Sequence, residues 1–271
     1  MTAAGTKRMC GLITDFGTKD YFIGTMKGVM KKINPGIEII DIANDIPSYS
    51  IMAASFVVDK TYRFFPEFTI FLVVVDPGVG TKRRILLVRH ENRTFIGPDN
   101  GVLTPILQQQ KAAVSILNNE TFFLIRGHST FEARDKMAPA AAYLSAGIDP
   151  QVLSSPAADV VLNPGYHPTS TGKKITARIV YIDKFGNIMS NVTKDFLFAA
   201  LKDSGHEAFK AEINGSEITD FFETYARAGP GPFMLIGSHE NLEIAVNQDS
   251  AADLLNARIG QEIGIIFQGT A

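Results

Sequence analysis

Short apolar runs alternate with helix-like patterns through residues 9–146, and this alternation constrains the fold more than any other feature of the chain. Residues 70–75 form a continuous apolar run of strand length, whereas residues 21–33 repeat apolar side chains at helical spacing. Continuous apolar strands separated by helices are typical of a parallel or mixed sheet that is covered on both faces. The sequence therefore predicts an α/β N-terminal domain with helices on both faces of its sheet. Its predicted strands are 9–14, 37–42, 70–75, 85–89, 94–96 and 114–117, and its predicted helices are 21–33, 51–65, 102–110 and 136–146.

The pattern changes at a Pro/Gly-rich segment, residues 163–168, which is typical of a linker. Beyond it, short predicted strands dominate, and the 271 residues are enough for two domains. We therefore expect domains at 1–165 and 172–271, the second small and β-barrel-like. Its predicted strands are 175–181, 188–190, 208–213, 233–236, 242–246 and 262–267, and its predicted helices are 195–201 and 251–255.

Composition excludes several classes of protein. A net charge of −2 gives no basic surface for nucleic acid, and the longest apolar runs are too short to cross a bilayer. The N-terminus lacks the apolar region of a secretory signal, so we expect a cytoplasmic protein. The single cysteine, Cys10, lies in an apolar run and is expected to be buried. The five histidines are isolated, so no metal site is expected.

Two carboxylates follow predicted strands of the first domain. Asp15 follows the first strand, and Asp76 begins the segment Asp-Pro-Gly-Val-Gly, with Arg83 seven residues further on. Ligands collect at the carboxyl edge of such sheets, so Asp15 could hold a sugar diol and Arg83 could pair with Asp76. Alternatively, Asp15 caps the helix that begins near Asp20, and Arg83 is a surface cation beyond an ordinary turn.

Further candidates lie in three loops. Residues 129–139 carry four ionisable side chains before an apolar helix, which suits either the lip of a site or a solvated helix start. Residues 181–187 offer a carboxylate, an aromatic ring and an amide, which suit an adenine ring but also any hairpin turn. Residues 236–247 alternate as a half-buried strand does.

The order of these motifs resembles one family. The chain reads Thr-Asp-Phe-Gly, Val-Asp-Pro-Gly-Val-Gly-Thr-x-Arg, Gly-Pro-Asp-Asn-Gly, Ser-Thr-Phe-x-x-Arg-Asp, Asp-x-Phe-Gly-Asn and Gly-Ser-x-x-x-Leu-Glu-Ile-Ala-Val-Asn in that order. The sequence resembles the adenosine-forming S-adenosylmethionine hydrolases, also called SAM hydroxide adenosyltransferases, which are relatives of fluorinase and chlorinase. The resemblance runs from about Leu12 to Phe267.

This resemblance implies hydrolysis of S-adenosyl-L-methionine, as substrate, to adenosine and methionine, with no metal and no cofactor. It also implies a homotrimer whose active sites lie between the N-terminal domain of one subunit and the C-terminal domain of its neighbour. The implied substrate contacts are Asp15 on the ribose hydroxyls; Ser48, Val79 and Phe131 around the ribose and methionine; Phe185 on adenine, with Asp183 and Asn187 on polar groups; and Ser238, Glu243 and Val246 at the adenine or methionine end.

The catalytic set shows a departure from the family. The hydrolases resemble each other in an Asp–Arg–His set, and Asp76 and Arg83 match its first two positions, a pairing that favours water over halide as nucleophile. The usual motif is Thr-Phe-His-Gly-Arg-Asp, but this chain has Glu132 at the histidine position. A carboxylate beside a guanidinium has its charged form favoured, so Asp76 is expected to be a weak base that orients water.

Two interpretations of Glu132 stay open at this stage. In the first, Glu132 and Asp76 share Arg83, and repulsion between the carboxylates makes one of them a better base. In the second, the set is broken, and the protein is slow or uses another nucleophile or adenosyl compound. The alternative classes are a non-catalytic binder or sensor of adenosyl ligands and a halide- or thiol-dependent adenosyl transferase.

Overall fold

The computed structural model describes residues 8–269, which form two compact units that meet in the sequence between Asn163 and Pro164. The predicted linker, 163–168, begins at this division. Each unit has its own sheet and its own apolar core.

The first unit contains a seven-stranded mixed sheet. Its strands are β1 (Met9–Thr14), β2 (Glu38–Ala43), β3 (Ile70–Val74), β4 (Ile85–His90), β5 (Arg93–Pro98), β6 (Ala113–Leu117) and β7 (Ser154–Pro156). They are ordered β2-β1-β3-β5-β4-β6-β7. The first four in this order are parallel, and the last three strands run antiparallel to their neighbours. Every predicted strand of this domain is present, and β7 was not predicted.

Helices cover both faces of this sheet, as predicted. They are α1 (Phe22–Ile33), α2 (Ile51–Thr61), α3 (Thr104–Leu107), α4 (Ala138–Ser145) and α5 (Pro150–Leu153). Leu12 and Leu72 face the core that α1 and α4 cover, because alternate strand positions point to opposite faces. On the other face, Phe71 and Phe95 stack at 5.0 Å, and Tyr62, just after α2, contacts Phe95. None of the helices within residues 8–269 is long and apolar enough to cross a membrane.

The predicted helix 136–146 was wrong at its start. Residues Ala133–Met137 form a π-helix, in which the N–H of Ala138 donates to the carbonyl of Ala133, and α4 follows directly. The cause is Pro139, which has no N–H for the carbonyl of Asp135 and whose ring would collide with it in a regular α-helix. The N–H of Leu124 satisfies that carbonyl instead, at 2.8 Å. The wide turn therefore has a local reason in the sequence.

Two further helices are shorter than predicted. The predicted helix 51–65 becomes 3₁₀ at Tyr62–Phe64, and the predicted helix 102–110 is reduced to α3. Beyond α3 the N–H of Gln109 donates to the carbonyl of Ile106 at 3.1 Å, three residues back instead of the four of an α-helix, and Lys111 then has a left-handed φ of +64°. Cys10 is fully buried in β1 as predicted, and burial raises the pKa of its thiol to about 12.

The second unit is an antiparallel, barrel-like sheet. Its strands are β8 (Thr169–Ser170), β9 (Lys174–Ile182), β10 (Ile188–Thr193), β11 (Ala208–Ile213), β12 (Ser216–Ile218), β13 (Pro232–Ile236), β14 (Asn241–Val246) and β15 (Glu262–Gln268), and its helices are α6 (Lys194–Ser204) and α7 (Ala251–Leu254). The order is β12-β11-β15-β9-β10-β14-β13, with β8 on β9. The two end strands, β12 and β13, contact each other, so the sheet is nearly closed. The predicted β-barrel-like fold is confirmed.

A glycine in the turn between β9 and β10 allows a test of this packing. Gly186 has a φ of +83°, and a Cβ there would lie 2.2 Å from the Oγ and 2.8 Å from the Cα of Ser250. Gly215 has a similar φ of +79° but open space around it. In urea denaturation we expect Gly215→Ala to lose about 1 kcal/mol of stability from backbone strain alone. Gly186→Ala should lose about 2–4 kcal/mol, because the collision adds to that strain. Equal losses would contradict the close approach of Gly186 to Ser250.

Candidate active site

Three adjacent strands of the first sheet end at the same edge and carry polar groups there. Asp15 directly follows β1, Asp76 lies two residues beyond β3, and Ser48 lies in the loop after β2. Strands β2, β1 and β3 are parallel neighbours, so their carboxyl ends meet, and this is where open α/β sheets bind ligands. The topology therefore brings together the first-domain residues that the sequence singled out.

Asp15 is anchored by backbone rather than by a helix. Its Oδ2 accepts a hydrogen bond from the N–H of Tyr49 at 2.8 Å, and Tyr49 has a left-handed φ of +65°. Helix α1 begins after Tyr21 without a side-chain cap, so the alternative interpretation of Asp15 as a helix cap is wrong. Burial raises the pKa of Asp15; the Tyr49 hydrogen bond opposes this rise, and the nearby charge of Asp76 adds to it. The carboxylate is half-buried and faces a cavity.

Arg83 is shared by two buried carboxylates. Its Nε donates to Oδ2 of Asp76 at 2.8 Å, and its Nη2 pairs with both Oδ2 of Asp76 and Oε2 of Glu132. The side chains of Asp76, Arg83 and Glu132 are 6%, 9% and 9% exposed, so the interpretation of Arg83 as a surface cation is wrong. Buried charges are stable only when they are paired and hydrogen-bonded, and these three satisfy one another.

The loop between β3 and β4 explains how Arg83 returns to Asp76. Oδ1 of Asp76 accepts the N–H of Gly78 at 3.2 Å, and the hydroxyl of Thr81 donates to the carbonyl of Gly78 at 2.7 Å. Oγ1 of Thr81 in turn accepts the N–H of Arg83 at 3.3 Å. These short-range bonds fold residues 76–83 back on themselves, so the side chain of Arg83 meets the carboxylate seven positions earlier.

Glu132 stands at the N-terminal end of the π-helix and has a second partner. The Nζ of Lys136 lies 2.5 Å from its Oε1, and both side chains are largely buried. From the sequence, Lys136 was counted only as one ionisable side chain of residues 129–139 and was assigned no partner. The Glu-to-Lys spacing of four residues is nevertheless a recognised signal for an ion pair on a helix. Four alternating charges therefore follow one another: Asp76, Arg83, Glu132 and Lys136.

Asp76 and Glu132 border a cavity of about 600 Å³, within the usual range for small-ligand sites, and Arg83 and Lys136 contact them without lining it. Phe131 forms its apolar wall together with Phe16 and Phe22, whose rings meet it edge-on at 5.6 and 5.2 Å. The lining includes these residues predicted from the sequence: Asp15, Ser48, Asp76, Val79, Phe131 and Glu132. It also includes residues that were not predicted, namely Asp20, Tyr21, Tyr49 and Arg134.

Arg134 is held by its neighbour in the chain. Its guanidinium lies over the ring of Phe131 at 5.1 Å and donates to Asp135 through Nε at 2.7 Å and Nη2 at 2.9 Å. Burial acts to raise the pKa of Asp135, but hydrogen bonds from Arg134 and Ser129 outweigh it and lower that pKa. The charge of Lys136 also lowers the pKa of Asp135, so this pair is coupled electrostatically to the Arg83 cluster.

The second unit places Phe185 in a cleft of about 440 Å³. Phe185 is 70% exposed on the turn between β9 and β10, and the cleft also includes Asn187, Tyr225 and Val246. Asp183 holds this turn, because its carboxylate accepts the N–H groups of Phe185 and Asn187 at 2.8 and 2.9 Å and the amide of Asn187 at 2.9 Å. Its hydrogen-bonding capacity is therefore used mainly within the turn.

Glu243 and Ser238 occupy different environments. Ser238 is exposed beside His239, whereas Glu243 is buried on β14 and accepts a hydrogen bond from the hydroxyl of Tyr225. Neither Ser238 nor Glu243 is among the residues that line the cleft, unlike Val246. Burial raises the pKa of Glu243; the Tyr225 hydrogen bond opposes this rise, and the charge of Asp183 adds to it.

Across residues 8–269, His, Cys, Asp and Glu side chains form no cluster of three or more that could hold a metal ion. The fold and the site thus define a two-domain protein, α/β and barrel-like, with a carboxylate–guanidinium cluster on a ligand-sized cavity. Models of the SAM hydroxide adenosyltransferase N-terminal and C-terminal domains match residues 10–154 and 177–264. The chain belongs to the SAM hydroxide adenosyltransferase family.

Individual relatives agree with this assignment. The chain is 29% identical to a protein of Methanocaldococcus jannaschii, over 94% of this chain and 95% of the relative, and 31% identical to one of Salinispora arenicola, over 93% and 95%. Both relatives are named (R)-S-adenosyl-L-methionine hydrolase. A solved structure, an uncharacterized conserved protein from Thermotoga maritima, superposes with a TM-score of 0.84 at 31% identity, covering 95% of this chain and all of that one.

The buried carboxyl of Glu243 predicts a pH dependence of stability. Its pKa in the folded protein lies above the usual 4.5, so its contribution to stability is fully present below pH 4.5 and is lost as the pH rises through the raised value. Glu243→Gln removes this loss. We expect the stability of the variant relative to the wild type to increase between pH 4 and pH 8, because only the wild type loses this contribution as the pH rises. Thermal unfolding across this range measures the difference. The control Glu212→Gln, exposed on β11, should show no such trend.

Proposed function

We propose that this protein hydrolyses S-adenosyl-L-methionine to adenosine and L-methionine by in-line attack of an oriented water on the ribose 5′ carbon. The observation that carries the proposal is that Asp76 and Glu132, bridged by Arg83, lie on the wall of a nucleoside-sized cavity that also presents Asp15. Membership of the SAM hydroxide adenosyltransferase family and the names of its relatives support the same reaction.

The leaving group decides what the protein must supply. A bond forms between the water oxygen and the 5′ carbon, while the carbon–sulfur bond breaks and its electron pair goes to the sulfonium sulfur. Methionine leaves as a neutral thioether, so the proposed step needs neither a general acid nor a metal or cofactor. The protein's task is to hold the 5′ carbon in line between water and sulfur at near-attack distance and to exclude other water.

Asp76 suits the orienting role. Its carboxylate can accept a hydrogen bond from the attacking water, and Arg83 fixes that carboxylate at the wall of the cavity. A proton is released from water as the new bond forms, passing to Asp76 or to solvent. Because the sulfonium is already a good leaving group, the proposed role of Asp76 is to orient the water rather than to deprotonate it completely.

Asp15 suits the ribose. A carboxylate at the carboxyl edge of β1 can accept hydrogen bonds from both hydroxyls of a sugar diol. Its anchoring to the N–H of Tyr49 fixes its position relative to the loop after β2. Ser48, Val79 and Phe131, which line the same cavity, are proposed to surround the ribose and methionine.

Glu132 shares Arg83 with Asp76, as the first of the two interpretations of this residue requires. Its second cation, Lys136, offsets the repulsion between the carboxylates that the interpretation invoked. We therefore propose that Glu132 orders Arg83 rather than acting as a base itself. This arrangement supports an intact set more than a broken one.

The second unit is proposed to contribute the adenine contacts. Phe185 presents an exposed ring for stacking, with Asp183 and Asn187 at the same turn, and Ser238, Glu243 and Val246 are proposed for the adenine or methionine end. By family resemblance we further propose a cytoplasmic homotrimer with active sites at subunit interfaces.

Labelled water tests the reaction directly. We expect incubation of the protein with S-adenosyl-L-methionine in H₂¹⁸O to yield adenosine carrying ¹⁸O at the 5′ position, with or without chloride, as read by mass spectrometry. A chlorinated nucleoside formed only with chloride would indicate a halide transferase instead. Binding of the compound without turnover would indicate a non-catalytic sensor.

Two carboxylate variants separate the proposed roles. Asp76→Asn should lower kcat by roughly 10²- to 10³-fold, because it removes the group that orients water in the transition state. Asp15→Asn should mainly raise KM by about 10- to 100-fold, the value of charged hydrogen bonds to the diol. Steady-state kinetics measures both constants. The control Asp41→Asn removes an ion pair with Lys27 outside the cavity and should keep wild-type values. Identical kinetic defects in the two site variants would contradict the division of roles.

A further inference from the structure

We propose that Lys136 is a positioning residue for this reaction: its ammonium holds the carboxylate of Glu132, which in turn keeps Arg83 fixed against Asp76. The inference rests on the proposed function, which assigns Asp76 to the water. Lys136 is not among the residues that line the cavity, and it acts on the reacting groups only through Glu132.

The geometry divides the oxygens of Glu132 between two cations. Oε1 receives the ammonium of Lys136 at 2.5 Å, and Oε2 pairs with Nη2 of Arg83. Arg83 in turn uses Nε and Nη2 on Asp76. The side chains of Glu132 and Lys136 are only 9% and 13% exposed, so water screens their attraction weakly. The position of Glu132 is therefore set from both sides.

The spacing along the chain provides this arrangement. Glu132 directly precedes the π-helix, and Lys136 lies inside it, four residues further on, so the two side chains share one side of the helical segment. The Nζ of Lys136 also lies 5.8 Å from the centre of the Phe123 ring, a cation–π contact that adds to the restraint on the ammonium.

The balance of charge shows why the lysine matters. With Lys136 present, the chain of four groups has two negative and two positive charges. Without it, two nearly buried carboxylates share one guanidinium and carry a net charge of −1. Such a pair takes up a proton at a higher pH, because repulsion and burial both disfavour the second negative charge. A proton taken by the pair weakens the contacts that fix Arg83.

The other charged groups around the cluster have partners of their own. Asp15, at the end of β1, is bound by the N–H of Tyr49, and Asp135 is bound by Arg134 and Ser129. Glu120, on the segment before Phe123, accepts the N–H of Gly127 at 3.4 Å. Asp20 lines the cavity and is exposed to solvent. Arg83 and Lys136 are thus the two cations that the structure places on Glu132.

The acid limb of the pH–rate profile tests the inference. For Lys136→Met we expect the midpoint of the acid limb of kcat to move to higher pH by about one unit, the lower end of the usual effect of an adjacent charge. KM should not rise, because a more negative site does not repel a sulfonium cation. Lys136→Arg should restore the wild-type midpoint. The double variant Glu132→Gln/Lys136→Met, which is charge-balanced again, should also return the midpoint, whatever its overall rate.

A measurement without substrate makes the test independent of turnover. Relative to the wild type, Lys136→Met should lose thermal stability at pH 7, and the difference in Tm should shrink towards pH 4 as the crowded carboxylates become protonated. Because the charge of Lys136 also lowers the pKa of Asp135, the same comparison is made in a Glu132→Gln background, where the difference in Tm should be clearly smaller. The matched control Lys27→Met removes a lysine of α1 that is paired with Asp41 of β2, and it should leave the acid limb unchanged. An unmoved limb in Lys136→Met, or a Tm difference independent of pH, overturns the inference. A wild-type protein that forms no adenosine overturns the proposed function instead, and the Tm measurement then decides the role of Lys136.

Discussion

The structure of the candidate site depends on one guanidinium held between two carboxylates. Arg83 is nearly buried, and a buried cation is stable only where anions meet it with good hydrogen-bond geometry. Asp76 comes from the end of β3 and Glu132 from the start of the π-helix, so the ion pairs connect the sheet edge to the helical layer that covers it. Removing Arg83 would leave Asp76 without its cation, and removing either carboxylate would leave Arg83 with one partner instead of two, which couples the shape of the cavity to its charges.

The fold provides the positions and the loops provide the chemistry. Parallel strands β2, β1 and β3 end side by side, so the strand order alone places Ser48, Asp15 and Asp76 at one edge of the sheet although they are far apart in the sequence. The loop 76–83 then folds on its own short-range hydrogen bonds and returns Arg83 to Asp76. The site is therefore specified partly by topology and partly by one eight-residue loop.

Much of this could be predicted from the sequence, and the failures have local causes. Apolar runs predicted β1 and β3 because buried parallel strands need continuous apolar residues. Asp15 and Asp76 could then be predicted as site residues because they follow the carboxyl ends of these strands. The π-helix was not predicted because an analysis of periodicity assumes regular helical turns. Pro139 has no N–H to donate to the carbonyl of Asp135, and the N–H of Leu124, from another segment of the chain, donates to it instead. Lys136 was overlooked because a lysine at the start of an apolar helix is usually solvated, and only tertiary packing buries it.

The pairing of Asp76 with Arg83 suits the proposed chemistry. A strong base is needed when the leaving group is poor, because the nucleophile must then supply most of the driving force. A sulfonium leaves as a neutral thioether, so the barrier lies mainly in aligning water, carbon and sulfur, which is a problem of position and excluded solvent. A cluster of balanced charges suits this requirement because its ion pairs fix the carboxylate that orients the water. A glutamate with a lysine partner can therefore complete such a cluster, since what the reaction requires of that position is a fixed partner for Arg83.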